Sequence, residues 1–184
     1  MNLSQLSDRL GRPALWISRM RKRFGLPVLE DYPECYQNFL RKIRDLRNLG
    51  VSEEKLVNLW NLERKLIDIL HLDLGDGNLS HIHGCCVEAD PERRLLLSNA
   101  ELGVPLMARD LQTGLDFQAL PKELFEGREM GEDCLRLLGE YRILFQEVRE
   151  IVGRERGVLK ESLCWERPLK LGISLDRCVV TRSQ

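Results

Sequence analysis

Residues 3–27 read LSQLSDRLGRPALWISRMRKRFGLP, two short periodic segments split by a Gly-Arg-Pro turn. Leu3, Leu6 and Leu10 recur at spacings of three and four, which predicts a helix from Leu3 to Leu10 with one apolar face. Asn2 or Ser4 can cap its start, and Gly11 suits its end. Pro13 stands at the opening of a second helix, where a missing N–H costs little. That helix, Ala14 to Phe24, sets Ile17, Met20 and Phe24 on a common face with Leu15 near its edge, and Gly25-Leu26-Pro27 stops it.

At about 100° per residue, Trp16, Arg19 and Arg23 form a second stripe on this helix. Arg12 lies near its start, and Ser18 and Lys22 flank it. Two short helices with a tight turn, the second one basic, are the pattern of a helix-turn-helix that reads DNA. Arginine suits that task because its planar fork grips guanine O6 and N7 or a phosphate. Arg19 and Arg23 are the candidates for base edges. Arg12, Arg21 and Lys22 are candidates for phosphates, which position a protein without specifying sequence. Trp16 is a candidate for a sugar or a thymine methyl. The bland alternative is a solvated basic helix face with Trp16 in the core.

Charge is distributed unevenly. The 184 residues carry a net charge of −1, but residues 1–50 hold ten Lys or Arg and five acids, leaving the remainder at −6. A basic head on an acidic body fits a polyanion-binding module joined to something else. With 43% hydrophobic residues the chain can bury a substantial core. It has no run of about 18 apolar residues, so no membrane span is expected. No basic-then-apolar leader is read at the N-terminus, and the six cysteines are irregularly spaced. Both point to reduced thiols in a cytoplasmic setting.

Beyond the first two helices, Val28 to Cys35 reads as a loop with three acids, Glu30, Asp31 and Glu34. A third helix is expected over Tyr36–Leu49, with Phe39, Leu40, Ile43, Leu46 and Leu49 apolar. Its Arg41, Lys42 and Arg44 fit either backbone phosphates or a solvated face. Ser52, followed by Glu53 and Glu54, is a helix-start signal for a fourth helix reaching about Leu70.

Leu74 to Asn78 breaks the pattern and sets the expected boundary between a head, 1–73, and a second unit, 78–184. In the second unit, Leu79–Glu88 and Arg93–Leu102 read as strands joined by a turn at Ala89–Glu92. Leu106–Phe117 reads as another hairpin, and Trp165–Val180 as a further strand. Gly131 to about Glu161 is the longest helix. Its Cys134, Leu138, Tyr141, Phe145, Val148 and Val152 make a coiled-coil-like seam, suited to a dimer contact or to covering a sheet.

Tyr36, Leu40, Ile43, Leu46-Arg47-Asn48-Leu49-Gly50 and Val51-Ser52-Glu53-Glu54-Lys55-Leu56 carry a resemblance. In this order they resemble the DNA-binding region of the mercury-resistance regulator (MerR) family over about residues 3–70. In that family a helix-turn-helix is followed by a wing and then by helices with these signatures. The Gly25-Leu26-Pro27 connection is also similar to that of excisionases and small terminase subunits. The resemblance implies a homodimeric transcription regulator. Its two recognition helices enter successive major grooves of double-stranded DNA, and its C-terminal part dimerises and, in many members, senses an effector. This chain departs from the family where the wing usually carries arginines, because residues 28–35 are acidic instead.

One other constellation has chemistry. On a strand, His81, His83 and Cys85 would point the same way, and two imidazoles with a thiolate suit zinc or another thiophilic metal. The bland alternative is two surface histidines and two small core thiols, Cys85 and Cys86, in a strand. No phosphate loop, nucleophile elbow or His-Glu-x-x-His element is present, so no enzyme is expected.

The expectation is therefore an α+β, mainly helical chain. It has a MerR-like winged-helix head of four helices, and a second unit with a small antiparallel sheet and one long helix. The expected function is dimeric, sequence-specific DNA binding. The alternatives are a non-enzymatic adaptor or small-molecule or metal-binding protein whose head contacts a protein, and a DNA-binding accessory protein of the excisionase or terminase kind.

Overall fold

Asn2 opens the first helix, α1 (Leu3–Leu10), through a reciprocal cap. The Asn2 Oδ1 accepts from the Gln5 N–H at 3.0 Å while Gln5 Oε1 accepts from the Asn2 N–H at 3.0 Å. The cap is therefore Asn2 and not Ser4. Gly11 closes α1 in the left-handed region at φ 59°, where a side chain would be strained. Then α2 (Ala14–Phe24) starts behind Pro13 and ends at Gly25, φ 64°. These elements belong to a computed structural model that describes residues 1–72, 77–85, 94–102 and 132–157.

Leu6 and Leu10 of α1 meet Ile17, Met20 and Phe24 of α2 in the core, as the spacing requires. Leu15 does not join them and is 82% exposed. Two residues before Ile17 it lies about 200° around the helix, on the opposite side.

The central element is α3 (Glu34–Asn48). It buries Tyr36, Phe39, Leu40, Ile43 and Leu46, together with Gln37, Asn38, Lys42 and Asp45, so it is covered on more than one side. Ser52 caps α4 (Glu53–Ile69) by accepting from Lys55 N–H at 3.2 Å. The aromatic rings of Phe24, Phe39 and Trp60 stack edge to face at 5.6 and 4.7 Å and lock α2, α3 and α4 together. The Trp60 indole N–H donates to the Phe24 carbonyl at 2.8 Å, so this buried ring leaves no donor unsatisfied.

The connection between α2 and α3 carries no strand, which corrects the winged part of the expected head. The segment is only a few residues long and bounded by Pro27 and Pro33. Its backbone is tied elsewhere. Tyr32 N–H donates to the Met1 carbonyl at 2.8 Å, the Tyr36 hydroxyl to the Pro27 carbonyl at 3.1 Å, and the Gln37 amide to the Tyr32 carbonyl at 2.9 Å.

The antiparallel sheet is a second correction. Among the described residues the chain is five α-helices with no strand. Where a strand was expected from Leu79, Ser80–Ile82 instead forms a single 3-10 turn. Residues 94–102 double back on themselves, joined by one antiparallel bridge between Arg94 and Glu101 and by Leu95 N–H donating to Ala100 O at 2.9 Å. Leu95, Leu96 and Leu97 are all buried, whereas a half-buried strand would bury only alternate residues. The expected hairpin at 106–117 and the strand at 165–180 lie outside the described residues.

The long helix is α5 (Glu132–Gly157). The whole predicted seam, Cys134, Leu138, Tyr141, Phe145, Val148 and Val152, is buried. It packs within the chain, along α4. Lys55 pairs with Glu147 and Glu63 with Tyr141, so the two helices run antiparallel. The apolar core runs without interruption from Leu6 to Val152.

One carboxylate organises this junction. Glu63 of α4 is fully buried. It accepts from Leu97 N–H at 2.8 Å, Ser98 N–H at 2.7 Å and the Tyr141 hydroxyl at 2.9 Å. Tyr141 in turn accepts from Leu96 N–H at 2.8 Å. Lys42, 3% exposed, donates to Leu96 O at 3.3 Å, and Asn99 donates to Gly84 O at 2.8 Å. Side chains thus supply the partners that a strand ladder would have given this irregular backbone.

Candidate nucleic-acid interface

The surface of α2 is set by which of its residues the core takes. Ile17, Met20 and Phe24 point inward, leaving Leu15, Arg19, Lys22 and Arg23 exposed and Trp16, Ser18 and Arg21 half-buried. Arg21, Lys22 and Arg23 occupy the last turn, where the helix dipole favours positive charge.

Among the predicted residues, Arg12 and Trp16 are brought together. The guanidinium carbon lies 5.9 Å from the centre of the Trp16 ring, and Arg12 Nη2 donates to Asn48 Oδ1 at 2.5 Å. Trp16 also packs against the core, so its bland reading is partly realised. Arg12 therefore bridges the start of α2 to the end of α3.

Arg19 and Arg23 meet on one acid. Arg19 Nη2 lies 3.3 Å from Glu53 Oε2, and Arg23 Nε lies 3.1 Å from Glu53 Oε1. The arginine side chains remain 59% and 66% exposed, whereas Glu53 is only 20% exposed. Glu53 is the first residue of α4, so the start of one helix orients both arginines of another. Sequence reading missed this role, because Glu53 looked like an ordinary first-turn acid and nothing local places it beside α2.

On α3 the structure separates three cations that looked equivalent. Arg41 is half-buried and donates to Asn38 Oδ1 at 3.3 Å. Arg44 pairs with Asp45 at 2.7 Å and donates to the Leu10 carbonyl at 3.0 Å. Lys42 is inside, so it cannot reach a phosphate. The acidic residue Asp31 pairs with the amino group of Met1.

His81, His83 and Cys85 do not converge, because a 3-10 turn replaces the strand that would have aligned them. His81 Nε2 lies 3.0 Å from Asp68 Oδ1, His83 is exposed, and Cys85 is 2% exposed with its thiol donating to Leu97 O at 3.4 Å. Burial pushes the Cys85 thiol up to about 11, away from the thiolate that binds metals. Among the described residues no three His, Cys, Asp or Glu side chains cluster as metal ligands do. No helix there is long and apolar enough to cross a membrane.

The tight two-helix unit thus presents an exposed basic second helix with two oriented guanidiniums, a surface suited to a polyanion. No family model, curated protein or solved structure matches the chain.

Proposed function

We propose that the chain is a DNA-binding transcription regulator that inserts α2 into the major groove of double-stranded DNA. The supporting observation is the paired guanidiniums of Arg19 and Arg23, exposed on the second helix of a tight two-helix unit and held by Glu53. Arg19 and Arg23 read base edges. Lys22, Arg21 and Arg12 engage phosphates, with Trp16 bracing Arg12 from below and Ser18 on the same face. A head of this size needs two half-sites for useful affinity, so the working form is a homodimer. Its contact surface is not the α5 seam, which α4 covers.

The test is a fluorescence-anisotropy titration against duplexes from the gene's own upstream region at several salt concentrations. Binding should weaken with a log–log slope of about 0.9 per neutralised phosphate. The double variant Arg19→Ala/Arg23→Ala should lose discrimination between fragments. Absence of any binding at low salt would reject the reading in favour of a protein-contacting adaptor.

A further inference from the structure

A cleft of about 250 Å³ opens between the end of α2, the middle of α4 and residues 77–82. Phe24, Pro27, Trp60 and Leu79 wall it, and Arg64 and His81 supply its charged and polar groups. The indole N–H of Trp60 is already given to Phe24 O, and Trp60 and Phe24 are buried but for an edge, so the accessible apolar surface of the cleft comes mainly from Pro27 and Leu79. Asp68 holds the His81 imidazole in place at 3.0 Å.

Arg64 supplies the charge of this cleft. It is half-buried, yet no ion pair or hydrogen bond among the described residues engages its guanidinium. Arg21 and Arg142 are likewise half-buried and without such a partner among the described residues, but neither lines the cleft. A guanidinium drawn partly out of water beside an apolar wall is suited to a planar anion that it can grip with two parallel hydrogen bonds. The volume lies just under the range of about 300–1,000 Å³ typical of drug-sized ligands, which limits an occupant to one ring or a short chain.

We propose that this cleft binds a small organic carboxylate, its carboxylate on Arg64 and its apolar body against Pro27, Leu79 and the exposed edge of Trp60. The site lies at the C-terminal end of α2, and the proposal does not rest on the DNA-binding reading.

The test follows the Trp60 indole signal of the ¹⁵N-labelled full chain by NMR, with Trp16 as internal control. Benzoate and cyclohexanecarboxylate are titrated beside their uncharged amides. At least one acid should shift Trp60 but not Trp16, and bind about tenfold or more tightly than its amide, as expected for a hydrogen-bonded charge. Arg64→Gln should erase that preference, and Arg64→Lys should retain part of it. Failure of both acids to shift Trp60 at about 10 mM, where even affinities weaker than millimolar are visible, overturns the proposal. So does an amide that binds as well as its acid, a comparison made on the unaltered chain and independent of how the variants fold.

Discussion

The hydroxyl of Tyr141 donates to Glu63 Oε1 at 2.9 Å, joining two helices from positions 78 residues apart. Both side chains are buried, and the same carboxylate caps the backbone of Leu97 and Ser98. The pair fastens α4, α5 and the folded-back segment 94–102 at one point.

Replacing Glu63 with alanine strands two buried N–H groups and the Tyr141 hydroxyl. Each orphaned donor costs about 1–3 kcal/mol, so the total loss should be at least about 3 kcal/mol. Urea unfolding followed by far-UV circular dichroism measures it. A loss below about 1 kcal/mol would mean that water replaces the carboxylate at this junction.

Glu63 also makes stability depend on pH. Its burial raises its pKa above the ordinary 4.5, although the Leu97 and Ser98 amides and Tyr141 pull it back. The folded state therefore binds the proton more tightly than the unfolded state does. The stability this contributes is full below 4.5 and is lost as pH rises through the folded value. The advantage of the natural chain over Glu63→Gln should shrink as pH rises from 4.5. Paired urea titrations across pH 4–8 check the sign, and a growing advantage would contradict it.

Removing the charge at Glu53 should free Arg19 and Arg23 for a phosphate or base. Exposed ion pairs are worth up to about 1 kcal/mol, so Glu53→Gln should tighten DNA binding by about fivefold or less at low salt. The gain should vanish when Arg19 and Arg23 are both alanine. Equal affinity of Glu53→Gln and the natural chain would show that the pairs do not restrain the arginines.

Gly25→Ala should cost about 1 kcal/mol or slightly more, because alanine must adopt φ 64°. An added Cβ would sit 3.6 Å from Arg64 Nη1, an ordinary contact, so the penalty is conformational and not steric. Gly11→Ala, at φ 59° with open space around it, should behave alike. Thermal unfolding of the two variants compares them directly.

The first four helices were legible in the sequence because their signals are local. Three- and four-residue apolar spacing, Asn2 and Ser52 as caps, and Gly11 and Gly25 as stops placed every boundary within about two residues. The segments around residues 80 and 95 were not legible, since a short run such as Leu95-Leu96-Leu97 suits a strand or any fully buried backbone. Their conformation depends on acceptors and donors from Glu63, Tyr141 and Lys42, all distant in sequence. One clue was available: Glu63 sits among Leu59, Trp60, Leu66 and Ile67, an acid within an apolar stripe. At the candidate interface, the exposed arginines followed from helical geometry. The Glu53 contact and the burial of Lys42 required the tertiary arrangement.

The shared burial of α4 bears on how the protein can be dissected. On one side Trp60 is enclosed by Phe24 and Phe39, while on the other Glu63 is enclosed by Tyr141 and Leu97. A fragment ending at residue 72 would keep the first enclosure and lose the second. It would present a bare apolar strip with an unescorted carboxylate at its centre, inviting aggregation through a face that α5 covers in the intact chain.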